Sequence, residues 1–333
     1  MSQFPLLSLP SLAIAEVLKL LDPFELFDLS QCSRKSFAII RLAGTKRYEL
    51  LLQSSDVVVN EKYQFRSSTY QKFPVILGKR KFFLANGKEI IVYVKCFRGP
   101  CHFRNFNFAD WDLGLQTILF YLTELFGCRI DSINTERYFS GKIQRSIMGW
   151  VIEKQKEIKI LAIDDNLNEN DLKWIMDNLT VTDYFECDVS TSRNFGYKFK
   201  TYSRHFSIHD SDWFKLDDLL AAAKSCVVIR LYESRLSNKD IDVFMKAWSS
   251  GEFPTLRYLE VASKNLNRRY EILGRNQAEW RNNRGGVFRE YVEIDGKSYR
   301  MYRGVEIRRD DGIKAEVDLD LDLYQKYFRL HVI

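Results

Sequence analysis

One segment near the start constrains this chain more than any other: FPLLSLPSLAIAEVLKLLDPFELFDLSQCSRKSFAIIRLAG, Phe4 to Gly44. Apolar residues recur at helical spacing through Leu12, Ala15 and Leu18, and again through Ile14, Val17 and Leu21. Glu16 and Lys19 are the only charges between Ser11 and Leu21. A helix that is apolar around most of its girth has to be covered on two sides. Asp22 then restarts the chain with Glu25 three residues on, the capping-box pattern, and Pro23 stands at the first helical position. Phe24, Leu26, Phe27 and Leu29 make this second helix apolar as well. After a polar break from Ser30 to Ser33, a third helix runs from Arg34 to Ala43 with Phe37, Ile40 and Leu42 apolar and Gly44 as its stop. A segment of about forty residues is too short to build a self-sufficient core, so it is expected to be covered by something else.

The Leu9-Pro10 entry, the Glu16-Val17-Leu18 step, Asp22-Pro23, Leu26, Leu29 and Ser33-Arg34-Lys35 together resemble an F-box. That resemblance implies docking on the Skp-type adaptor of cullin-based ubiquitin ligases. It places Leu9, Pro10, Leu12, Val17, Leu18, Leu21, Pro23, Leu26 and Leu29 at the adaptor-facing or core positions of the motif. Phe24 and Phe27 depart from the pattern, being bulkier than the aliphatic residues more usual there, and would retune adaptor affinity. The alternative reading is a helical hairpin packed on the chain's own C-terminal region.

Composition narrows the remainder. Of 333 residues, 46% are hydrophobic and 14% aromatic, enough for a substantial core and against general disorder. Fifty Lys and Arg against 44 Asp and Glu leave a formal charge of +6, too small an excess to mark a dedicated nucleic-acid binder. The six cysteines (Cys32, Cys96, Cys101, Cys128, Cys187 and Cys226) contain no CxxC and sit mostly in apolar runs, as free thiols do in a reducing compartment. The N-terminus lacks a basic leader, and no stretch reaches eighteen apolar residues. The expected protein is soluble and intracellular, cytoplasmic or nuclear.

Beyond Arg47 the pattern turns to strands: Asp56 to Asn60, then Phe82 to Val94 as a hairpin turning at Asn86-Gly87. Residues 97–114 read as loop, Leu115 to Phe126 as a helix, Cys128 to Ile133 as a strand and Gly141 to Val151 as a helix. From Glu157 onward strands alternate with helices: 158–163 with 170–179, 184–189 with 213–223, 226–231 with 238–248, and then 256–261. Ile158/Leu161/Ile163, Cys226/Ile229/Leu231 and Leu256/Leu259/Val261 share a one-four-six spacing typical of a leucine-rich-repeat-like strand, although the intervals are uneven. The C-terminal stretch reads as a β-meander that caps this stack, and residues 313–320 alternate strictly.

The stretch from about Val57 to the C-terminus is similar to the type 2 F-box-associated domain of nematode F-box families. Leu236 to Leu266 and the turn-bearing tail 303–319 carry the likeness. It implies target recruitment but transfers no binding residues.

No chemistry is expected. There is no phosphate-binding glycine loop, no GxSxG and no HExxH. His205 and His209 lie four apart near Asp210 and Asp212, but no further ligand accompanies them. Cys96, Cys101 and His102 lack a second pair, and Asp164-Asp165 reads as an acidic turn. The expectation is no metal and no cofactor. The arginine-rich stretch 268–309 is interleaved with Trp280, Tyr291, Tyr299 and Tyr302. It reads as a solvated sheet face, as a target surface centred on Arg289, Tyr291, Tyr299, Tyr302 and Arg303, or as a platform for single-stranded nucleic acid, the weakest of the three.

The expected fold is mixed α+β and α/β. A three-helix F-box (1–47) precedes a target-recognition region (48–333). That region divides into a β-rich entry (48–114), an irregular leucine-rich-repeat-like strand–helix stack (115–266) and an antiparallel meander (267–333). The expected function is a non-catalytic substrate adaptor of an SCF-type ubiquitin ligase, bound to a Skp-type protein and through it a cullin, with an unknown protein target and no membrane. The alternatives are a ligase-independent interaction scaffold and, less favoured, a nucleic-acid-binding module.

Overall fold

In a computed structural model, the described residues are 8–42, 48–53, 56–69, 79–85, 88–97, 102–108, 110–135, 140–268, 270–280, 289–302, 304–321 and 326–333. The chain separates into two compact units, Met1–Ile158 and Lys159–Ile333.

The first unit begins with α1 (Ser11–Lys19), α2 (Pro23–Ser30) and α3 (Arg34–Leu42). The start of α2 follows the residue pattern: Asp22 accepts from the Glu25 amide at 2.8 Å, Glu25 accepts from the Asp22 amide at 2.9 Å, and Pro23 fills the first position. The strands β1 (Leu50–Gln53), β2 (Asp56–Val59), β3 (Tyr63–Thr69), β4 (Lys79–Ala85), β5 (Lys88–Phe97) and β6 (His102–Phe108) follow, then α4 (Trp111–Phe126), β7 (Ile130–Asn134) and α5 (Gly141–Lys154). The strand order is β7-β1-β2-β3-β6-β5-β4. The 97–114 stretch is therefore not loop throughout: β6 pairs in parallel with β3, and Phe106 and Phe108 are buried. Its Phe/Asn alternation is a strand period, obscured by the Gly and Pro before it. β4 and β5 pair antiparallel, Ala85 opposite Lys88; the Asn86-Gly87 turn itself, like the stop at Gly44, lies outside the described residues.

The second unit contains β8 (Glu157–Ile163), α6 (Glu169–Asn178), β9 (Thr180–Cys187), β10 (His205–Ile208), α7 (Leu216–Ala223), β11 (Val228–Ser234), α8 (Asn238–Ser249), β12 (Tyr258–Ser263), α9 (Gln277–Trp280), β13 (Arg289–Ile294), β14 (Lys297–Tyr302), β15 (Val305–Arg308), β16 (Lys314–Asp320) and β17 (Tyr327–Val332). Strands β9 to β12 are parallel neighbours, with β8 beside β9. β10 is a strand that the sequence reading passed over. With it in place, strand starts from β8 to β12 fall 23, 25, 23 and 30 residues apart, closer to even than expected. The result is a parallel strand–helix run. Its likeness to leucine-rich repeats rests on the apolar spacing alone. The C-terminal strands do not form one meander: β13 and β14 make a separate two-stranded sheet, while β15-β16-β17 join the main sheet because β17 pairs antiparallel with β12.

Candidate docking surfaces

The nine residues of the expected adaptor surface divide by burial. On α1, Leu12 is 75% exposed and Pro10 beside it is exposed; Leu9, Val17, Leu21 and, on α2, Leu29 are half-buried. Leu18, Pro23 and Leu26 are buried and belong to the helical core. Leu20, which the sequence reading did not single out, is 85% exposed, and with Leu12 it is the most exposed large apolar side chain among the described residues. The signal was present: Leu12, Glu16 and Leu20 are spaced by four, one row along a helix. Glu16 is tied to Lys19 at 2.6 Å, so the row is an apolar strip interrupted by one ion pair.

The opposite side of this helical module is covered by the chain itself. Phe24 stands edge-on to Tyr63 and Phe65 at ring separations of 5.4 and 4.9 Å, and Phe27 meets Phe65, Phe106 and Tyr121 at 5.4–5.5 Å. Arg104 on β6 lies over the Phe24 ring at 4.6 Å and makes two hydrogen bonds to the Asp28 carboxylate, at 2.6 and 2.8 Å. Tyr121 on α4 lies 2.6 Å from Ser30 Oγ, accepts from Gln31 and packs against Phe37. Burial pushes the Tyr121 hydroxyl up to about 12. The two phenylalanines that break the expected aliphatic pattern thus face the chain's own sheet and α4, so their bulk has a cause inside the molecule.

In the second unit a row of polar residues crosses the sheet in register: Glu186 on β9, Ser207 on β10, Arg230 on β11, Glu260 on β12, Arg329 on β17 and Asp318 on β16. Arg329 is 2% exposed and donates to Glu260 and to Asp318, both at 2.9 Å. Arg230 lies 3.3 Å from the second Glu260 oxygen, to which Tyr232 also donates at 2.8 Å. At one end, His209 Nε2 sits 2.9 Å from Glu186, and this hydrogen bond more than anything else holds Glu186 down at about 2. At the other end, burial lifts Asp318 to about 6 despite Arg329, whose charge is shared with Glu260.

The β13–β14 hairpin lies on this sheet through Ile294, Tyr299 and Met301, which pack with Val227, Val228 and Tyr258. Tyr299, expected at a target surface, is instead buried against His205, and His205 Nε2 also contacts Asp295 at 3.0 Å. His205 is accordingly a buried structural residue and His209 a partner of Glu186. No group of three or more His, Cys, Asp or Glu among the described residues has the geometry to hold a metal ion. Strand alternation turns Tyr291 outward, 61% exposed and opposite Arg300 in register. The side chains of Arg289 and Tyr302, and all of Arg303, lie outside the described residues. Asp164 is a buried turn residue whose carboxylate accepts from Asn166. No helix among the described residues is long and apolar enough to cross a membrane.

No curated protein and no solved structure matches the chain. Two family models match parts of it. The model described as F-box associated covers residues 194–261, from before β10 into β12, and so includes the centre of the charged row. The α1–α3 module, exposed along Leu12 and Leu20 and packed on its other side, is where the F-box domain model matches, over residues 6–47.

Proposed function

We propose that the chain is the substrate-recognition subunit of an SCF-type ubiquitin ligase. The strip around Leu12 and Leu20 docks on a Skp-type adaptor that in turn holds a cullin, and the second unit captures a protein target. The observation that carries this reading is the F-box match at residues 6–47 together with the two most exposed large apolar side chains among the described residues, Leu12 on α1 and Leu20 directly after it. Leu9, Pro10, Val17, Leu21 and Leu29 flank that strip, whereas Leu18, Pro23 and Leu26 support it from within. The role is one of proximity: the subunit breaks no bond and raises the local concentration of target lysines near the conjugating enzyme. The outward side of the β13–β14 hairpin, which carries Tyr291, is the proposed target surface, and the sequence adds Arg289, Tyr302 and Arg303 to it as residue types that anchor interfaces. This role belongs inside the cell.

Titration against a recombinant Skp-type adaptor tests the reading. Each of Leu12 and Leu20 buried on docking is worth about 2 kcal/mol, so the Leu12→Asp, Leu20→Asp double variant should bind several hundredfold more weakly. Unchanged affinity would refute the docking face. A ligase-independent scaffold draws support from the packing of α2 on the chain's own sheet and of α3 on α4, and it predicts no adaptor binding by the unmodified chain.

A further inference from the structure

The F-box helices do not complete their own core. Leu18, Leu26 and Ile40 fill the space among α1, α2 and α3, but the other side of α2 is occupied by Phe24 and Phe27, which face Tyr63 and Phe65 on β3, Phe106 on β6 and Tyr121 on α4. Two polar attachments hold the same seam. Arg104 grips Asp28 with two bonds while covering Phe24, and the Tyr121 hydroxyl hydrogen-bonds with Ser30 and accepts from Gln31 at the end of α2. Every one of these sheet and α4 residues is more than fifteen positions beyond the F-box match, and none lies on the Leu12–Leu20 strip. α1 has no side-chain cap at its N-terminus, and its buried residues are Ile14 and Leu18. Its placement therefore depends on α2 and α3 holding their positions beneath it.

We infer that β3, β6 and α4 form the missing half of the F-box core, so that Phe65, Phe106, Arg104 and Tyr121 are positioning residues for adaptor docking although they touch no adaptor. The inference rests on the docking reading above. Physically, the three helices have a docking-competent arrangement whose population is set by the aromatic seam, and apparent affinity scales with that population. By linkage, the adaptor in turn stabilises the seam, including strands remote from the docking strip.

The experiment uses the full chain, a Skp-type adaptor as probe, and hydrogen exchange with and without it. Phe27→Ala removes the central ring of the seam. The expected result is fast amide exchange in α2 and roughly tenfold weaker adaptor binding, the loss that follows when the competent fraction drops to about a tenth. Saturating adaptor should restore protection in α2 and also in α4 and β6. The Leu12→Asp, Leu20→Asp variant serves as the contrast: its affinity falls while exchange in α2 stays at the level of the unmodified chain. Fast exchange in α2 with undiminished affinity would overturn the inference, because the helices would then dock without the seam. Weaker binding with α2 still protected would overturn it too, because Phe27 would then act by direct contact. Failure of the unmodified chain to bind adaptor would instead sink the docking reading. If Phe27→Ala does not yield folded chain, Phe106→Leu makes the same comparison from the sheet side, at a residue outside the F-box altogether.

Discussion

Replacing Arg329 by Met gives the sharpest test of how the second unit is held together. Its guanidinium is 2% exposed and is shared between Glu260 and Asp318, each at 2.9 Å, while its plane lies 4.2 Å from the Tyr327 ring centre. Methionine keeps much of the volume and removes the charge. Glu260 retains Arg230 and Tyr232, but Asp318 loses the guanidinium that pairs with it and is left as a buried, uncompensated carboxylate. Breaking a buried pair from one side costs about 3–5 kcal/mol, or roughly 10 °C in the melting of a unit of this size at about 2–4 °C per kcal/mol. The cost should depend on pH, and its sign follows from Asp318. Burial already raises its folded pKa to about 6 from an ordinary aspartate value of about 3.9, so the folded state binds the extra proton and Asp318's contribution to stability declines as pH rises through that window. Without Arg329 that folded pKa moves higher still, so the penalty should be full at pH 8 and visibly smaller at pH 5. Urea denaturation followed by tryptophan fluorescence at both values measures it. A second variant, Arg329→Met with Asp318→Leu, removes the guanidinium and the carboxylate that depends on it, leaves Glu260 to Arg230 and Tyr232, and should recover most of the loss. A single variant that costs under about 1 kcal/mol, or a double variant as unstable as the single one, would refute the idea that uncompensated buried charge is what the row guards against.

Three further outcomes follow from particular contacts. Asp22→Ala removes the acceptor side of the α2 capping box and should cost about 1 kcal/mol, read as a lower urea midpoint at unchanged slope. Gly114→Ala places a methyl against the Phe108 ring and the Ser67 hydroxyl, so overpacking should cost about 1–3 kcal/mol, in contrast with the gain expected for a helical glycine in open space. Desolvation lowers the His205 pKa in the folded chain, with Asp295 opposing it, so the neutral ring is favoured and stability is lost as pH falls below about 6.5. Subtracting the stability profile of His205→Gln from that of the unmodified chain should isolate this loss from the opposite trend of Asp318.

Local signals in the sequence carried the local structure well. Asp22-Pro23-Glu25 specified the start of α2 to the residue, and the apolar run 115–126 gave most of α4, because caps and helical periodicity act within a few neighbours. Several strands escaped, β1 and β3 among them, and for β10 and β6 the reason is again local. HFSI at 205–208 is too short to show a period among its loop-like neighbours, and HFRNFNF at 102–108 is written in asparagine, which reads as turn. β17 shows no strict alternation in YFRLHV, and it joins β12 from some seventy positions away. The charged row was beyond reach. Glu186, Arg230, Glu260, Asp318 and Arg329 become neighbours only once strand register is set, and no one-dimensional pattern encodes that. Tyr299 and Tyr291 illustrate the limit at a single turn of sequence: both looked like surface aromatics, and only the docking of the hairpin on Tyr258 and His205 turned one of them inward.

The aromatic seam beneath α2 also bears on interchangeability. A domain joined by a linker can be traded among chains, since nothing but its ends must match. Here a replacement F-box would have to bring rings at positions 24 and 27 and a carboxylate at 28, or leave Phe65, Phe106 and Arg104 facing water. Cutting the chain just after the F-box would strip the same surface and favour aggregation. Phe24, Phe27 and Asp28 on one side and Tyr63, Phe65, Arg104, Phe106 and Tyr121 on the other are therefore under a joint constraint in inheritance, so substitutions at this seam should arise as compensating pairs.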